Sequence, residues 1–372
     1  MIDRLTAPCH FGLEKTLAFE LKRAGGEGIE VRDGRVDFSG DEAVVARANI
    51  TSSVAERIGI VLGSFRAGSF DELFEGARAI PIEEYAAKDE KLHIVKGNSL
   101  NSALTSIPAI QRTLKKAFVL RMQEKYRLTT LPETGATLPI RFLLMKDQIT
   151  VTLDTSGVGL HKRGYRARSN AAPIKETLAA GIVDLARVRE YDTVVDPFCG
   201  SGTILIEAAM KAARIAPGLN RRFVAETWSK SDPGVWAAAF EEARAAVRED
   251  CSFRAFGYDL DPEAVALTEE NARKAGVEGL IAVKRRSIRE FTAPSPKIKL
   301  ITNPPYAERM GEVEEAHAIY RTMGERLLPL GESELYVITS DGEFEALFGE
   351  KAAKNRKLYN GMLQCRLYSY RG

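Results

Sequence analysis

The sequence predicts a mixed α/β protein in which two small α+β units precede a larger α/β unit built on a parallel sheet. Three observations carry this. The chain has 372 residues, 45% hydrophobic and 28% charged, which is too long for one typical domain and apolar enough for several buried cores. Residues 1–65 order as β-α-β-β-α-β. From Thr193 onward, short apolar strands alternate with helices, the pattern that gives a parallel sheet.

The elements follow in order. Arg4–Cys9 reads as a strand. Leu13–Ala24 has helical spacing, with Leu13, Leu17, Phe19 and Leu21 expected on the buried face and Gly25-Gly26 as the stop. Ile29–Asp33 and Arg35–Phe38 form a hairpin around Gly34, Asp41 caps a helix running to Ser53, and Arg57–Phe65 is a strand. A second unit spans 66–156. It holds a helix at Phe70–Ile80 begun near Ser69 or Asp71, a strand at Leu92–Lys96, a long helix at Pro108–Tyr126 and a hairpin, Pro139–Met145 with Ile149–Asp154. The long helix carries Arg112, Lys115, Lys116, Arg121 and Lys125, which either contact phosphates or form a solvated face. This unit has no acid, base or metal constellation, which points to binding or scaffolding.

The third unit, 160–372, opens with a basic junction, His161–Arg166, and a helix, Pro173–Ala186. Strands are expected at Thr193–Phe198, Phe253–Asp259, Ile281–Arg285, Lys299–Thr302 and Leu335–Thr339, with a closing antiparallel hairpin at Lys357–Tyr359 and Gln364–Tyr370. Residues Ile215–Asp250 exceed a bare α/β connection and read as a structural insertion rather than part of a cleft.

Composition excludes several classes. A net charge of +2 gives no global pull on nucleic acid, so such affinity must come from local patches. Cys9, Cys199, Cys251 and Cys365 have no metal-knuckle spacing, and no metal site is expected. A reducing cytoplasm suits four scattered cysteines, and neither a leader peptide nor a membrane span is apparent.

Two segments carry chemistry. Asp196-Pro197-Phe198-Cys199-Gly200-Ser201-Gly202-Thr203 ends a strand and opens a helix. The glycines allow a sharp turn and close backbone approach to a ligand, and Asp196 sits at the carboxyl end of its strand, where α/β sheets bind ligands. A carboxylate there suits a cationic amino group better than a phosphate, and the loop lacks the lysine of a phosphate-binding loop. Asp259, followed by Leu260 and Asp261, closes the next strand and can accept hydrogen bonds from both hydroxyls of a ribose. Asn303-Pro304-Pro305-Tyr306 ends the fourth strand. Its prolines stiffen the backbone, so the Asn303 side-chain oxygen and the Pro304 carbonyl can hold the hydrogens of an exocyclic amine or a carboxamide, while Tyr306 offers a stacking face.

These segments resemble the class I S-adenosylmethionine-dependent methyltransferases that carry an Asn-Pro-Pro-Tyr amino-methylation sequence. The N-terminal units, the stretch Asp154–Gly157 before His161–Arg166, and Ala172-Pro173-Ile174-Lys175-Glu176 are similar to the THUMP-domain guanine-N2 RNA methyltransferases. The resemblance covers nearly the whole chain. It implies a ferredoxin-like unit, a THUMP module that binds RNA, and a Rossmann-like seven-stranded sheet. It implies that Asp196–Thr203, Asp259, Leu260, Ser287 and Asn303 bind S-adenosylmethionine, leaving S-adenosylhomocysteine as product. It further implies that Asn303, Pro304, Pro305 and Tyr306 are catalytic, and that RNA, 23S ribosomal RNA or a large-subunit precursor above all, is the partner. Where the family has an acid near the adenine, this chain has Arg285-Arg286-Ser287-Ile288, with Ser287 in the acid's place. The same tetrapeptide also serves adenine-N6 DNA methyltransferases and protein glutamine methyltransferases.

Overall fold

The computed structural model describes residues 2–166, 174–305 and 310–371. Its N-terminal half begins β1 (Ile2–Pro8), α1 (Glu14–Arg23), β2 (Glu27–Arg32), β3 (Arg35–Gly40), α2 (Glu42–Thr51), β4 (Gly59–Arg66). It continues α3 (Phe70–Ala79), β5 (Lys91–Ile94), β6 (Asn98–Leu100), α4 (Ile107–Tyr126), β7 (Thr137–Met145), β8 (Gln148–Asp154). Local chemistry sets several boundaries. The Asp41 carboxylate accepts from the Val44 amide at 2.9 Å and starts α2, and Ser69 does the same for α3 through Glu72 at 3.2 Å. Arg127 takes a left-handed conformation to close α4.

The first six elements have the β-α-β-β-α-β order of a ferredoxin-like unit, and the next six form a second α+β unit. The two share one sheet, in the order β2-β3-β1-β4-β8-β7-β5 with β6 also on β7. β4 is the join: it pairs antiparallel with β1 on one side and with β8 on the other, from Gly59 opposite Asp154 to Arg66 opposite Gln148. Hydrogen bonding is therefore continuous where the sequence suggests a boundary.

The Phe19 expectation fails. Leu17 and Leu21 are fully buried, but Phe19 is 64% exposed, with the Arg23 guanidinium 6.0 Å from its ring. Leu17 and Leu21 are four residues apart and share a helix face; Phe19 lies two residues from each, on the opposite side.

The C-terminal half runs α5 (Glu176–Leu185), β9 (Thr193–Asp196), α6 (Thr203–Ala212), α7 (Pro233–Ala245), β10 (Arg254–Asp259), α8 (Pro262–Ala275), β11 (Ile281–Arg285). It ends β12 (Lys299–Thr302), α9 (Met310–Leu327), β13 (Glu334–Thr339), α10 (Phe344–Phe348), β14 (Lys354–Asn360), β15 (Leu363–Tyr370). The sheet order is β11-β10-β9-β12-β13-β15-β14. The first five strands are parallel and β14–β15 is the antiparallel closing hairpin. Strand order reverses beside β9, so the ends of β9, β10 and β12 open on one crevice.

The insertion 215–250 is structural. The Gly218 amide donates to the Ile50 carbonyl at 2.8 Å, and a Cβ at Gly218 would fall 2.6 Å from Ile50 Cα. The Trp228 indole donates to the Thr137 carbonyl at 3.1 Å. Trp236 packs on Phe223, and α7 lies against α2. The segment thus docks the C-terminal unit onto both N-terminal units. The junction does likewise: buried Arg163 reaches the Leu160 carbonyl at 2.6 Å, the Ser53 carbonyl at 2.5 Å and Glu207 of α6 at 3.3 Å. His161 faces Glu56 at 3.6 Å, consistent with a structural role.

Candidate active site

The crevice at the strand ends is a cavity of about 720 Å³. The described part of the expected site converges on it. Asp196 through Ser201, Thr203, Asp259, Leu260, Ser287, Asn303 and Pro305 line it; Gly202 and Pro304 do not, and Tyr306 lies outside the described residues.

The glycine loop after β9 is held from beneath. Gly200 and Gly202 have φ of +53° and +78°. The Thr268 hydroxyl donates to the Gly200 carbonyl at 2.8 Å and the Asn271 amide to the Ser201 carbonyl at 2.9 Å, both from α8. A Cβ at Gly202 would meet Thr268 at 2.5 Å, whereas one at Gly200 would meet nothing within 4 Å. Gly202→Val is therefore expected to cost about 2 kcal/mol or more, from the left-handed backbone and the clash together. Thermal unfolding checks this; an unchanged melting temperature would contradict the packing.

Both acids are pre-positioned. Asp196 is 2% exposed; its Oδ1 accepts from Thr302 Oγ1 at 2.6 Å and from the Phe198 amide at 3.0 Å. Among the described residues Oδ2 has no hydrogen-bond partner. Burial, aided by the Asp259 charge, raises the Asp196 carboxyl to about 7 despite those two hydrogen bonds. Asp259 accepts from the Gly200 amide through Oδ2 and from the Asp261 amide through Oδ1, each at 3.0 Å. Two backbone donors so fix its plane and leave a further lone pair on each oxygen. Asp261 also caps α8, accepting from the Glu263 amide at 2.8 Å.

Further contacts, made by Arg166 and Tyr320, were not legible from local patterns. Arg166 donates to Thr203 Oγ1 at 2.6 Å and to the Ile174 carbonyl at 3.0 Å, tying the junction to the glycine loop. Fully buried Tyr320 of α9 donates to the Pro305 carbonyl at 3.3 Å and lies 3.1 Å from Thr339 Oγ1, so it braces the tetrapeptide from behind. Cys199 is a packing sulfur: burial first, then the Asp196 and Asp259 charges, push its thiol well above the usual range. Ser287 already accepts from the Arg289 amide at 3.2 Å, which leaves its O–H as a donor toward the cavity. No cluster of metal-ligating side chains occurs among the described residues. None of the described helices is long and apolar enough to cross a membrane.

A seven-stranded sheet of this order, with an acid–glycine loop after its first strand and an acid after the second, defines a class I methyltransferase. Comparison with known proteins gives the family. Residues 163–369 match the RMKL-like methyltransferase domain, 4–59 the RlmL ferredoxin-like domain and 67–154 the THUMP domain. The chain belongs to this family of S-adenosylmethionine-dependent methyltransferases.

YpsC of Bacillus subtilis (strain 168), provisionally named an RNA methyltransferase, is 40% identical over 98% of this chain and 95% of its own length. The ribosomal RNA large subunit methyltransferase K/L of Shewanella baltica (strain OS185) is 34% identical over 96% of this chain, which spans only 52% of that protein. The methyltransferase-like protein SMU.472, solved with S-adenosylhomocysteine, superposes with a TM-score of 0.95 at 38% identity, covering 100% of this chain and 98% of its own. A protein from Listeria monocytogenes str. 4b F2365, described as a predicted N6-adenine-specific DNA methylase, gives 0.93 at 41% identity over 99% and 96% of the two chains.

Proposed function

We propose that this chain methylates an exocyclic amine in RNA, guanine N2 in 23S ribosomal RNA being the favoured target. The observation that carries the chemistry is that Asp196, Asp259 and Asn303 line one cavity. The residues fit S-adenosylmethionine. Gly200 leaves open space where a side chain would stand, Asp196 presents a carboxylate for the cofactor ammonium, and Asp259 presents two oxygens for its ribose hydroxyls. Leu260 and Ile288, both lining the cavity, suit the two faces of the adenine, with the Ser287 hydroxyl at its edge. When bound, S-adenosylmethionine supplies an electrophilic methyl group on a sulfonium.

The Asn303 side-chain oxygen accepts one amine hydrogen at the cavity wall, and the resemblance assigns the other to the Pro304 carbonyl, although Pro304 does not itself line the cavity. The amine nitrogen, whose lone pair is delocalised into the base, is then held in line with the methyl group and favoured in the tetrahedral geometry it must reach. The released proton passes to solvent, so no histidine base is needed. The resemblance assigns Tyr306 the role of stacking on the base. Tyr320→Phe removes the brace on Pro305 and is expected to lower kcat several-fold while cofactor affinity stays the same. Single-turnover kinetics beside calorimetry checks this; a change in affinity with kcat unaltered would contradict the assignment.

The choice of RNA is supported by the ferredoxin-like and THUMP units and by the names of YpsC and the K/L relatives. The choice of guanine N2 rests on resemblance, and cytoplasmic residence follows from a ribosomal target. The description of the Listeria structure favours a second reading, adenine N6 in DNA. Labelled S-adenosylmethionine incubated with the protein and total RNA, genomic DNA or protein extract separates them. Label entering RNA alone supports the proposal, and label in DNA alone would sink it.

A further inference from the structure

The helices α1 and α2 cover one face of the N-terminal sheet. The opposite face is an open trough of about 760 Å³ that crosses β3, β1, β4, β8 and β7. Its floor mixes short hydroxyl side chains, Thr6, Ser39, Ser64, Thr150 and Thr152, with Gln148 and the apolar Val61, Leu143 and Met145. Its aromatic rings, Phe38 and Phe142, are 3% and 4% exposed and offer no stacking platform. Such a surface suits a sugar–phosphate backbone rather than bases.

The charge on the trough is positive. Six cations line it, Arg4, Arg32, Arg35, Arg57, Lys96 and Arg141, against the four carboxylates Glu30, Asp37, Glu56 and Asp154. Asp154 is shared by Arg57 at 2.6 Å and Arg141 at 2.8 Å, leaving a positive excess there. Arg4 and Lys96 are exposed and, among the described residues, have no carboxylate partner. Three of the five α4 cations are spent differently. Lys115 bonds the Leu92 carbonyl and pairs with Glu133, Arg121 clasps Glu83 at 2.6 and 2.7 Å, and Lys116 sits 5.7 Å from the Phe74 ring.

The trough also leads to the cavity. Glu56 at its inner end lies 3.5 Å from Lys175 Nζ, and Ile174, the preceding residue, lines the cofactor cavity. We propose that a single-stranded stretch of the RNA runs along this trough, with Arg4 and Lys96 on its phosphates, and enters the cavity past the Ile174-Lys175 step. The proposal rests on the RNA reading above.

The test uses the full chain and two double variants that change charge equally, Arg4→Glu with Lys96→Glu and Arg112→Glu with Lys116→Glu. The trough pair is expected to raise the KM for RNA about 10-fold, leaving kcat and S-adenosylmethionine affinity alone. It should also flatten the salt dependence of log KM by about 1.4, at roughly 0.7 per lost single-strand phosphate contact. The α4 pair should change KM less than twofold. Equal effects from both pairs, or none from the trough pair, in an enzyme that methylates RNA would overturn the trough alone. A wild-type enzyme that methylates no RNA overturns the RNA reading and the trough with it. Cross-linking of 4-thiouridine RNA to the wild-type chain needs no variant to fold. Adducts on β1, β4 or β8 support the proposal, and adducts confined to α4 contradict it.

Discussion

Asn303→Ala is expected to abolish methyl transfer while leaving S-adenosylmethionine binding within about twofold. Asn303 ends β12 and lines the cavity beside the cofactor loop. Its side chain is the acceptor that the proposed transfer needs, and preorganised polar groups of this kind are worth about 100- to 1,000-fold in kcat. The loss should appear in kcat rather than in KM for the cofactor, because the contact to the amine tightens only as nitrogen becomes tetrahedral. Rapid-quench kinetics with labelled cofactor, beside calorimetry on the same preparation, checks both halves. Unchanged turnover would remove Asn303 from the catalytic role.

Asp196→Asn is expected to act on the other side of the reaction. The carboxylate is buried, held by Thr302 and the Phe198 amide, and turned to the cavity. Leaving a buried ammonium without its partner costs about 3–5 kcal/mol, so the Kd for S-adenosylmethionine should rise by roughly 100-fold or more.

A pH dependence follows. The free Asp196 carboxyl is raised to about 7, so in the empty protein it is mostly neutral on the acid side of that value. Binding the ammonium needs the ionised form. Affinity should therefore climb as pH rises from about 5.5 and level off above about 7, by up to tenfold per unit on the acid limb. The stability linkage has the opposite sign. A carboxyl raised in the folded state costs the empty protein stability as pH rises from the unfolded value of 3.8 toward about 7. Cofactor at saturating concentration should offset that loss. Asp196→Asn should bind weakly with a flat profile; a sloped profile in the variant would assign the titration to another group.

The site was legible where its chemistry is local. Asp196, Gly200, Gly202 and Asp259 are read from a strand ending in an acid and from glycines that precede a helix, and the structure brings Asp196, Gly200 and Asp259 to one cavity, with Gly202 packed beneath on Thr268. Asn303 needs only the adjacent prolines to stand out. What stayed hidden depends on contacts between distant segments. Tyr320 is seventeen positions beyond Asn303 and looks like an ordinary core tyrosine until α9 folds back under Pro305. Arg166 reads as one more basic residue of a junction until it meets Thr203, thirty-seven positions away.

The fold shows the same division. The β14–β15 hairpin and the caps at Asp41 and Asp261 follow from nearby residues. The β4–β8 pairing that fuses the first two units does not, since Gly59 and Asp154 are ninety-five positions apart. For Lys115 and Arg121 of α4, composition reports charge but not partners. Glu83 and Glu133, which hold Arg121 and Lys115, lie outside the helix.

The most direct test of the central claim is nucleoside mass spectrometry of ribosomal RNA from a strain lacking the gene, before and after incubation with the purified chain and S-adenosylmethionine. A gain of N2-methylguanosine in large-subunit RNA is the predicted result, absent with Asn303→Ala. N6-methyladenine appearing in DNA from the same strain, with ribosomal RNA unchanged, would contradict it.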